Sequence, residues 1–207
     1  MNYQCLHQSH QNPTKFHLRP IIVVPSRILR DKGTLDAAYA SQILSKRGVA
    51  HEMQFTCEPW LDRKDSITED ELNEVKSFPD VKFVGFQSII QDMYAKSDVV
   101  CLPSWYREGL QTAILESSAA GVPLVVCNNV GVRDFVRPNI DAIVAEPRNP
   151  ESLADALEQM LSNEKAADEM RVNAHQRFLS GFTSKHMLAI TSRALAELDS
   201  DIPVFEV

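Results

Sequence analysis

The 207-residue sequence has few glycines, no long apolar run and no excess of positive charge. Its 21 lysines and arginines stand against 28 aspartates and glutamates, a formal net charge of −7. This balance disfavours a protein that binds nucleic acid through a basic face. No run approaches the ~20 apolar residues that span a bilayer, and the first twenty residues lack the apolar centre of a secretory signal. We therefore expect a cytoplasmic protein.

Cysteine pairs and the common nucleotide-binding motifs are also missing. The four cysteines, Cys5, Cys57, Cys101 and Cys127, lie far apart and form no C-x-x-C pair, so we expect neither a disulfide framework nor a zinc site. The seven glycines form no G-x-G-x-x-G, and no G-x-x-x-x-G-K-[ST] occurs. These absences disfavour an NAD-dependent oxidoreductase and a P-loop protein.

Short apolar runs alternate with helical patterns along the chain. The predicted strands are Ile21–Pro25, Glu52–Cys57, Val81–Gly85, Asp98–Leu102, Pro123–Cys127 and Ala142–Ala145. The predicted helices between them are Thr34–Arg47, Thr68–Phe78, Ile89–Lys96, Thr112–Ala120 and Val132–Val136. This alternation predicts an α/β fold of Rossmann type, with an open parallel sheet of about six strands and helices on both faces.

Only helical patterns follow the last predicted strand. They cover residues 150–162 and 164–198, with a break near Gly181. We divide the chain into a polar leader over 1–19, expected to be flexible, a Rossmann-like domain over 20–182, and a C-terminal helix and tail over 183–207. No linker or internal repeat divides the central part further.

The loop after the first strand carries two cations near a helix N-terminus. Ligands of open α/β sheets bind outside the carboxyl ends of the strands. Arg27 and Lys32 flank this loop, and Gly33 lets backbone approach closely. Two cations beside a positive helix end make an anion site, for which a diphosphate is the natural ligand. Exposed cations at a strand end are also common as plain solvated charge, so both interpretations stay open.

Two carboxylates follow the fourth strand, and Glu108 and Glu116 have seven residues between them. A carboxylate accepts two hydrogen bonds from a vicinal diol, so the pair is suited to holding two diols, such as a ribose and a sugar. Alternatively, Glu108 complements the helix dipole and Glu116 lies on a solvated face. The neighbouring Trp105 and Tyr106 either stack on a sugar or pack at the base of the loop.

Four stretches of the sequence resemble one family in the same order. PSWYREGLQTAILESSAAGVPLVVCNNVG resembles the E-x7-E signature of retaining glycosyltransferases of the GT-B fold, family 4. SRILRDKG resembles that family's G-R-L-x-x-x-K-G, and VKFVGFQSIIQDMYAKSDVVCLPS and PRNPESLADALEQMLSN resemble two further motifs. The resemblance covers residues 20–198. Its P-S-x-Y-R-E-G variant is similar to bacterial enzymes that build cell-surface polysaccharide, such as lipopolysaccharide, or lipid-linked oligosaccharide.

The resemblance implies roles for four side chains. Arg27 and Lys32 would bind the donor diphosphate, Glu116 the ribose hydroxyls and Glu108 the hydroxyls of the transferred sugar. Such enzymes retain the anomeric configuration without a clear protein nucleophile, and the leaving phosphate is thought to take the acceptor's proton. The cations would stabilise the negative charge that develops on that phosphate.

The resemblance also implies contacts made through two loops. The backbone of Gly109, Leu110 and Gln111, together with the Thr112 hydroxyl, would touch the sugar and the phosphate, and the loop Phe86–Ile90 would hold the base. We expect the donor to be a nucleoside-diphosphate sugar, with UDP favoured over GDP, and we expect no cofactor and no metal.

Length is the main departure from that family, whose members carry two Rossmann-like domains. The sequence resembles only the C-terminal, donor-binding half. We expect a glycan or lipid-linked acceptor, a separate N-terminal domain or a homo-oligomer as partners, and a place at the inner face of the plasma membrane. A nucleotide-sugar-binding module without transfer, or an assembly partner, remains the alternative.

The apolar face of the last helix (Met187, Leu188, Ile190, Leu195) is either exposed or packed on its own domain.

Overall fold

The computed structural model describes residues 15–59 and 66–198, and strands and helices alternate in it as predicted. The strands are β1 Ile21–Val24, β2 Glu52–Phe55, β3 Val81–Phe83, β4 Val99–Leu102, β5 Leu124–Cys127 and β6 Ile143–Ala145. The helices are α1 Thr34–Lys46, α2 Glu69–Lys76, α3 Ile90–Ala95, α4 Thr112–Ala120, α5 Val130–Phe135, α6 Pro150–Ser162, α7 Glu164–Gly181 and α8 Ser184–Ala196.

The six strands form one parallel sheet in the order β3-β2-β1-β4-β5-β6. The chain adds β2 and β3 on one side of β1 and then returns to add β4, β5 and β6 on the other. Strand order therefore reverses between β1 and β4, and ligands of open α/β sheets bind at the carboxyl ends of the strands at such a reversal. The predicted open parallel sheet is confirmed. The reversal of strand order indicates that a ligand would bind at the carboxyl ends of β1 and β4.

Apolar side chains cover both faces of the sheet. In β1, Ile22 and Val24 join the core under α1 and α6, whereas Val23 joins the core under α4 and α7. Cys101 and Cys127 are buried within β4 and β5 as small apolar side chains. Helices therefore lie on both faces, which explains the near-continuous apolar runs of the strands.

Side-chain caps set several helix starts. Thr68 and Glu71 form the capping box expected from the sequence, with Glu71 N donating to Thr68 Oγ1 at 3.2 Å and Thr68 N to Glu71 Oε2 at 2.7 Å. Helix α5 begins at Val130, two residues earlier than predicted, because Asn129 Oδ1 accepts the N–H of Val132 at 3.1 Å.

The end of the predicted leader contacts the domain. Phe16 packs against the core, His17 Nδ1 lies 2.8 Å from Asp98 Oδ2, and Arg19 lies 2.7 Å from Asp80. These residues are therefore part of the folded body. Residues 1–14 of the leader and 199–207 of the tail lie outside the described residues.

Helix α8 leaves a row of large apolar side chains in solvent. Met187, Leu188, Ile190 and Leu195 are 43% to 61% exposed, so the packed alternative for this face does not apply. None of the helices within 15–59 and 66–198 combines the length and the apolar content that crossing a membrane would need.

Two glycines with the same backbone conformation provide a test of how closely the loops after β1 and β4 approach each other. Gly33 (φ 73°) lies so close to the carbonyl of Pro103 that a Cβ would overlap with it, whereas Gly48 (φ 76°) has nothing within 4 Å. We expect Gly48→Ala to cost only the strain of left-handed backbone, about 1–2 kcal/mol. Gly33→Ala should cost at least about 1 kcal/mol more through overlap. Urea unfolding of both variants measures the difference, and equal costs would contradict the close approach.

Candidate functional site

The loops that follow β1 and β4 are joined through one carbonyl. Asp31 O accepts hydrogen bonds from Trp105 N at 3.1 Å, from Tyr106 N at 3.2 Å and from Ser104 Oγ at 3.3 Å. Gly33 approaches the first residue of the second loop, Pro103. The two loops therefore form a single ridge at the point where strand order reverses.

Two of the predicted ligands meet on this ridge as an ion pair. Lys32 Nζ donates to Glu108 Oε1 at 2.6 Å, and the same oxygen lies 3.3 Å from Ser104 Oγ. Lys32 is only 9% exposed, and its Nζ lies 5.2 Å from the centroid of the Tyr106 ring. A cation this buried needs a counter-charge, so Lys32 is held by Glu108 where an incoming anion would compete for it.

A third loop, which follows β5 and carries no predicted site residue, fixes the backbone around Glu108. Asn129 Nδ2 donates to Ser104 O at 2.9 Å while its Oδ1 caps α5. The Cα of Gly131 faces the carbonyls of Gly109 and Glu108 so closely that a Cβ would overlap with them. The cap preference of asparagine was a signal for Asn129, but the contact with the neighbouring loop carries no local signal.

Helix α4 begins directly after this ridge. Gln111 is its N-cap residue and makes no side-chain cap hydrogen bond, and Thr112 is the first helical residue and is exposed. The N–H groups of a helix's first turn lack partners within the helix and carry its partial positive charge. Gly109, Leu110, Gln111 and Thr112 therefore present a backbone suited to an anion beside Lys32.

Glu116 lies one turn inside α4 and is buried, with 7% of its surface exposed. The hydroxyl of Tyr94, in α3, donates to Glu116 Oε2 at 3.1 Å. Burial raises the pKa of the Glu116 carboxyl, and the hydrogen bond from Tyr94 opposes that rise. The alternative that placed Glu116 on a solvated face is therefore wrong, because the side chain is buried. A buried carboxylate with a raised pKa is a candidate for a functional role.

The remaining predicted residues lie farther along the same edge. Arg27 is exposed, and its charge lowers the pKa of the Cys57 thiol against the larger effect of burial, which raises it. Phe86 is 76% exposed, and Ile90 is partly buried at the start of α3. Within the described part of the chain, no hydrogen bond or ion pair joins these three residues to Lys32 or Glu108.

Aromatic side chains line an open cleft next to the ion pair. The cleft has a volume of about 520 Å³ and lies between the loop after β4 and the loop after β6. It is lined by Trp105, Tyr106, Arg107, Pro147 and Arg148. The guanidinium of Arg148 lies 3.9 Å from the centroid of the Trp105 ring, so one face of this ring is already covered. Tyr106 is 49% exposed.

The fold and this site define the class of protein. The strand order and its reversal between β1 and β4 are those of a doubly wound α/β domain, and a cation beside a helix N-terminus at that point is suited to an anionic ligand. The family model described as glycosyl transferases group 1 matches residues 59–177, more than half of the chain. The chain belongs to this family.

Individual relatives agree with this membership. A UDP-Gal:α-D-GlcNAc-diphosphoundecaprenol α-1,3-galactosyltransferase of Escherichia coli is 30% identical over 99 residues, 48% of this chain and 25% of that enzyme. Among solved structures, Anabaena HepE in complex with UDP-glucose superimposes with a TM-score of 0.75 at 19% identity, over 88% of this chain and 49% of HepE.

A solved C-terminal domain has nearly the same extent as this chain. It belongs to the glycosyl transferase group 1 protein LpcC of Francisella tularensis and superimposes with a TM-score of 0.67 at 18% identity. The superposition covers 88% of this chain and 94% of that domain. In contrast, the chain spans between 22% and 43% of the first four curated relatives. Its fold is thus that of a C-terminal GT-B half.

The buried carboxyl of Glu116 makes stability depend on pH. Since its pKa is raised in the folded state, the folded protein binds this proton more tightly than the unfolded chain does. The charged form lowers stability at neutral pH, and the protein regains that stability as the pH falls through the raised pKa toward the ordinary value. We expect Glu116→Gln to unfold at a higher temperature than the wild type at about pH 7.5, with the difference shrinking toward about pH 5.

Thermal unfolding followed by circular dichroism at the two pH values measures this difference. Glu197→Gln, in the exposed residue that follows α8, changes the same charge without burial and should show no such convergence. A Glu116→Gln variant that is less stable than the wild type at the higher pH would contradict the cost assigned to the buried charge.

Proposed function

We propose that this chain binds a nucleoside-diphosphate sugar, with UDP favoured over GDP, and transfers the sugar to an acceptor with retention of its anomeric configuration. The observation that carries the proposal is the ion pair between Lys32 and Glu108, 2.6 Å apart beside the start of α4. Each partner has a natural ligand in the donor: the diphosphate for the cation, and the sugar hydroxyls for the carboxylate.

In this proposal the donor takes the place of the ion pair. Phosphate oxygens take up the charge of Lys32, joined by Arg27 and by the N–H groups at the start of α4. Glu108 is then released to accept hydrogen bonds from the sugar. As the bond between the anomeric carbon and the diphosphate breaks, negative charge grows on the departing diphosphate. Lys32 and these N–H groups bind that charge more strongly than the intact donor, which lowers the barrier.

Glu116 would hold the ribose. Its second oxygen accepts from Tyr94, which fixes the carboxylate and leaves lone pairs for two adjacent hydroxyls. Such a pair of hydrogen bonds offsets the cost of burying this charge. The exposed loop that begins at Phe86 would cover the base, which an aromatic side chain favours by stacking.

For the acceptor we propose a lipid-linked glycan intermediate of cell-surface polysaccharide. Support comes from the E. coli relative, whose name gives it a diphosphoundecaprenol-linked acceptor, and from HepE, which was solved with UDP-glucose. The acceptor would meet this domain together with an N-terminal domain from the same protein, a separate chain or a second copy. We propose the cytoplasm, at the inner face of the plasma membrane, as the place of reaction.

A second candidate uses the same donor site. In it, the chain is a module that holds the nucleotide sugar without transferring it. The two candidates share the donor site and differ in turnover when an N-terminal half is supplied.

The first prediction from the proposed function concerns the nucleotide. Glu116→Ala removes charge-assisted hydrogen bonds to the ribose and should weaken UDP binding by roughly 1–3 kcal/mol. Isothermal calorimetry with UDP and with GDP measures this loss and the base preference. Glu197→Ala removes the same charge from an exposed position and is the matched control. Unchanged UDP affinity in Glu116→Ala would remove this residue from the site.

A second prediction separates the two carboxylates. Glu108→Ala should weaken binding of UDP-glucose by roughly 1–3 kcal/mol, because the sugar hydroxyls lose their acceptor. Free UDP should bind with equal or higher affinity, because Lys32 is no longer held by a competing carboxylate. Calorimetry with both ligands measures the two effects, and an equal loss for both would contradict the sugar-binding role of Glu108.

A further inference from the structure

The cleft beside the ion pair contains two arginines that the proposed function does not use. Arg107 belongs to the loop after β4 and Arg148 to the loop after β6, and both side chains line the cleft. In the described residues, neither guanidinium makes a hydrogen bond or an ion pair within 4.0 Å. Arg148 is stacked on Trp105, and this contact leaves the N–H groups at its edge available.

The backbone of Arg148 is held in an unfavourable conformation. Its φ is 56°, in the left-handed region, and it is one of two non-glycine residues with positive φ among those described. Such a residue costs free energy and persists where the surroundings over-determine it, typically at ligand clamps. This conformation accompanies the placement of the guanidinium over Trp105 in the lining of the cleft.

The lining of the cleft includes two arginines in a protein that is negative overall. The formal net charge is −7, so long-range attraction does not favour anions. Asp36, near the start of α1, is an acidic group whose pKa responds to the charge of Arg148; burial raises that pKa and Arg148 lowers it. Two guanidinium forks, one of them stacked on Trp105, match a phosphate group and the apolar or sugar group attached to it.

We propose that this cleft binds the diphosphate of the acceptor, separately from the diphosphate of the donor. The inference rests on the proposed function and names the group by which the acceptor is recognised. Arg107 and Arg148 would hold the phosphate oxygens, and Tyr106 would carry the sugar next to them. Because the Tyr106 ring also lies 5.2 Å from Lys32 Nζ, a sugar on this ring lies next to the donor site.

Inorganic pyrophosphate, titrated into the full chain saturated with UDP, tests the second site. UDP fills the donor site, so the heat of pyrophosphate binding reports only what binds elsewhere. We expect Arg148→Ala and Arg107→Ala each to weaken this binding about tenfold or more, the loss typical of a charge-assisted hydrogen bond. UDP affinity should stay within about twofold of the wild type in both variants, because neither residue contacts the donor in this proposal.

Control variants separate the site from general charge effects. Arg193→Ala, on the exposed side of α8, removes the same charge and should leave pyrophosphate binding unchanged. Arg148→Gly relieves the left-handed backbone and should keep the thermal stability near that of the wild type while losing pyrophosphate binding. A purely structural role of Arg148 predicts instead a loss of stability with pyrophosphate binding unchanged.

Three outcomes would overturn the proposal: no pyrophosphate binding to the UDP-saturated wild type, an equal loss in Arg193→Ala, or no loss in Arg148→Ala. If UDP itself does not bind, the proposed function fails. Pyrophosphate titrated alone then still tests the cleft, because pyrophosphate binding that depends on Lys32 and not on Arg148 contradicts a site in the cleft.

Geranyl diphosphate distinguishes the source of the phosphate. If the cleft binds a lipid-linked diphosphate, geranyl diphosphate should bind at least as tightly as pyrophosphate, and weaker binding contradicts the lipid-linked source.

Discussion

The carbonyl oxygen of Asp31 joins the two halves of the sheet at the point where function concentrates. It accepts hydrogen bonds from three donors of the loop after β4, and the side chain of the next residue, Lys32, pairs with Glu108 eight residues before Glu116. Without this contact, the loops after β1 and β4 would diverge, as loops at a reversal of strand order do. The contact turns a crevice between two loops into a single surface with a cation, a carboxylate and a helix N-terminus in fixed positions.

The two buried charges near this contact, Lys32 and Glu116, each have few partners among the described residues. Lys32 is held by one carboxylate and one aromatic ring, and Glu116 by one hydroxyl. Removing a partner from a buried ion pair costs far more than the pair contributes. A ligand that takes the place of Glu108 at Lys32 must therefore be negatively charged itself. This requirement favours a diphosphate over a neutral ligand at the same place.

Local patterns predicted the elements well, since apolar runs and helix caps act over a few residues. The capping box of Thr68 and the strands around the buried cysteines needed no knowledge of the rest of the chain. Glu116 was ambiguous, because a glutamate in an apolar helix fits either a wet face or a buried site, and only packing against Tyr94 decides. Asn129, Gly131 and Arg148 act through contacts between loops far apart in sequence. No spacing rule reports such contacts. The role given to Phe86 rests on family resemblance alone, whereas the two cations Arg27 and Lys32 indicated an anion site before the resemblance was considered.

At the opposite end of the sheet, a different carboxylate fastens the same two central strands. Asp98, just before β4, accepts hydrogen bonds from Ile21 N at the start of β1 and from His17, while Arg19 ties the entering chain to Asp80. The amino-terminal edge is thus closed by internal hydrogen bonds, and the carboxyl-terminal edge carries the exposed arginines and aromatic rings. Stability of the sheet and ligand recognition therefore depend on residues at opposite edges. Residues at the carboxyl-terminal edge can change ligand preference while the amino-terminal edge keeps the strands in register.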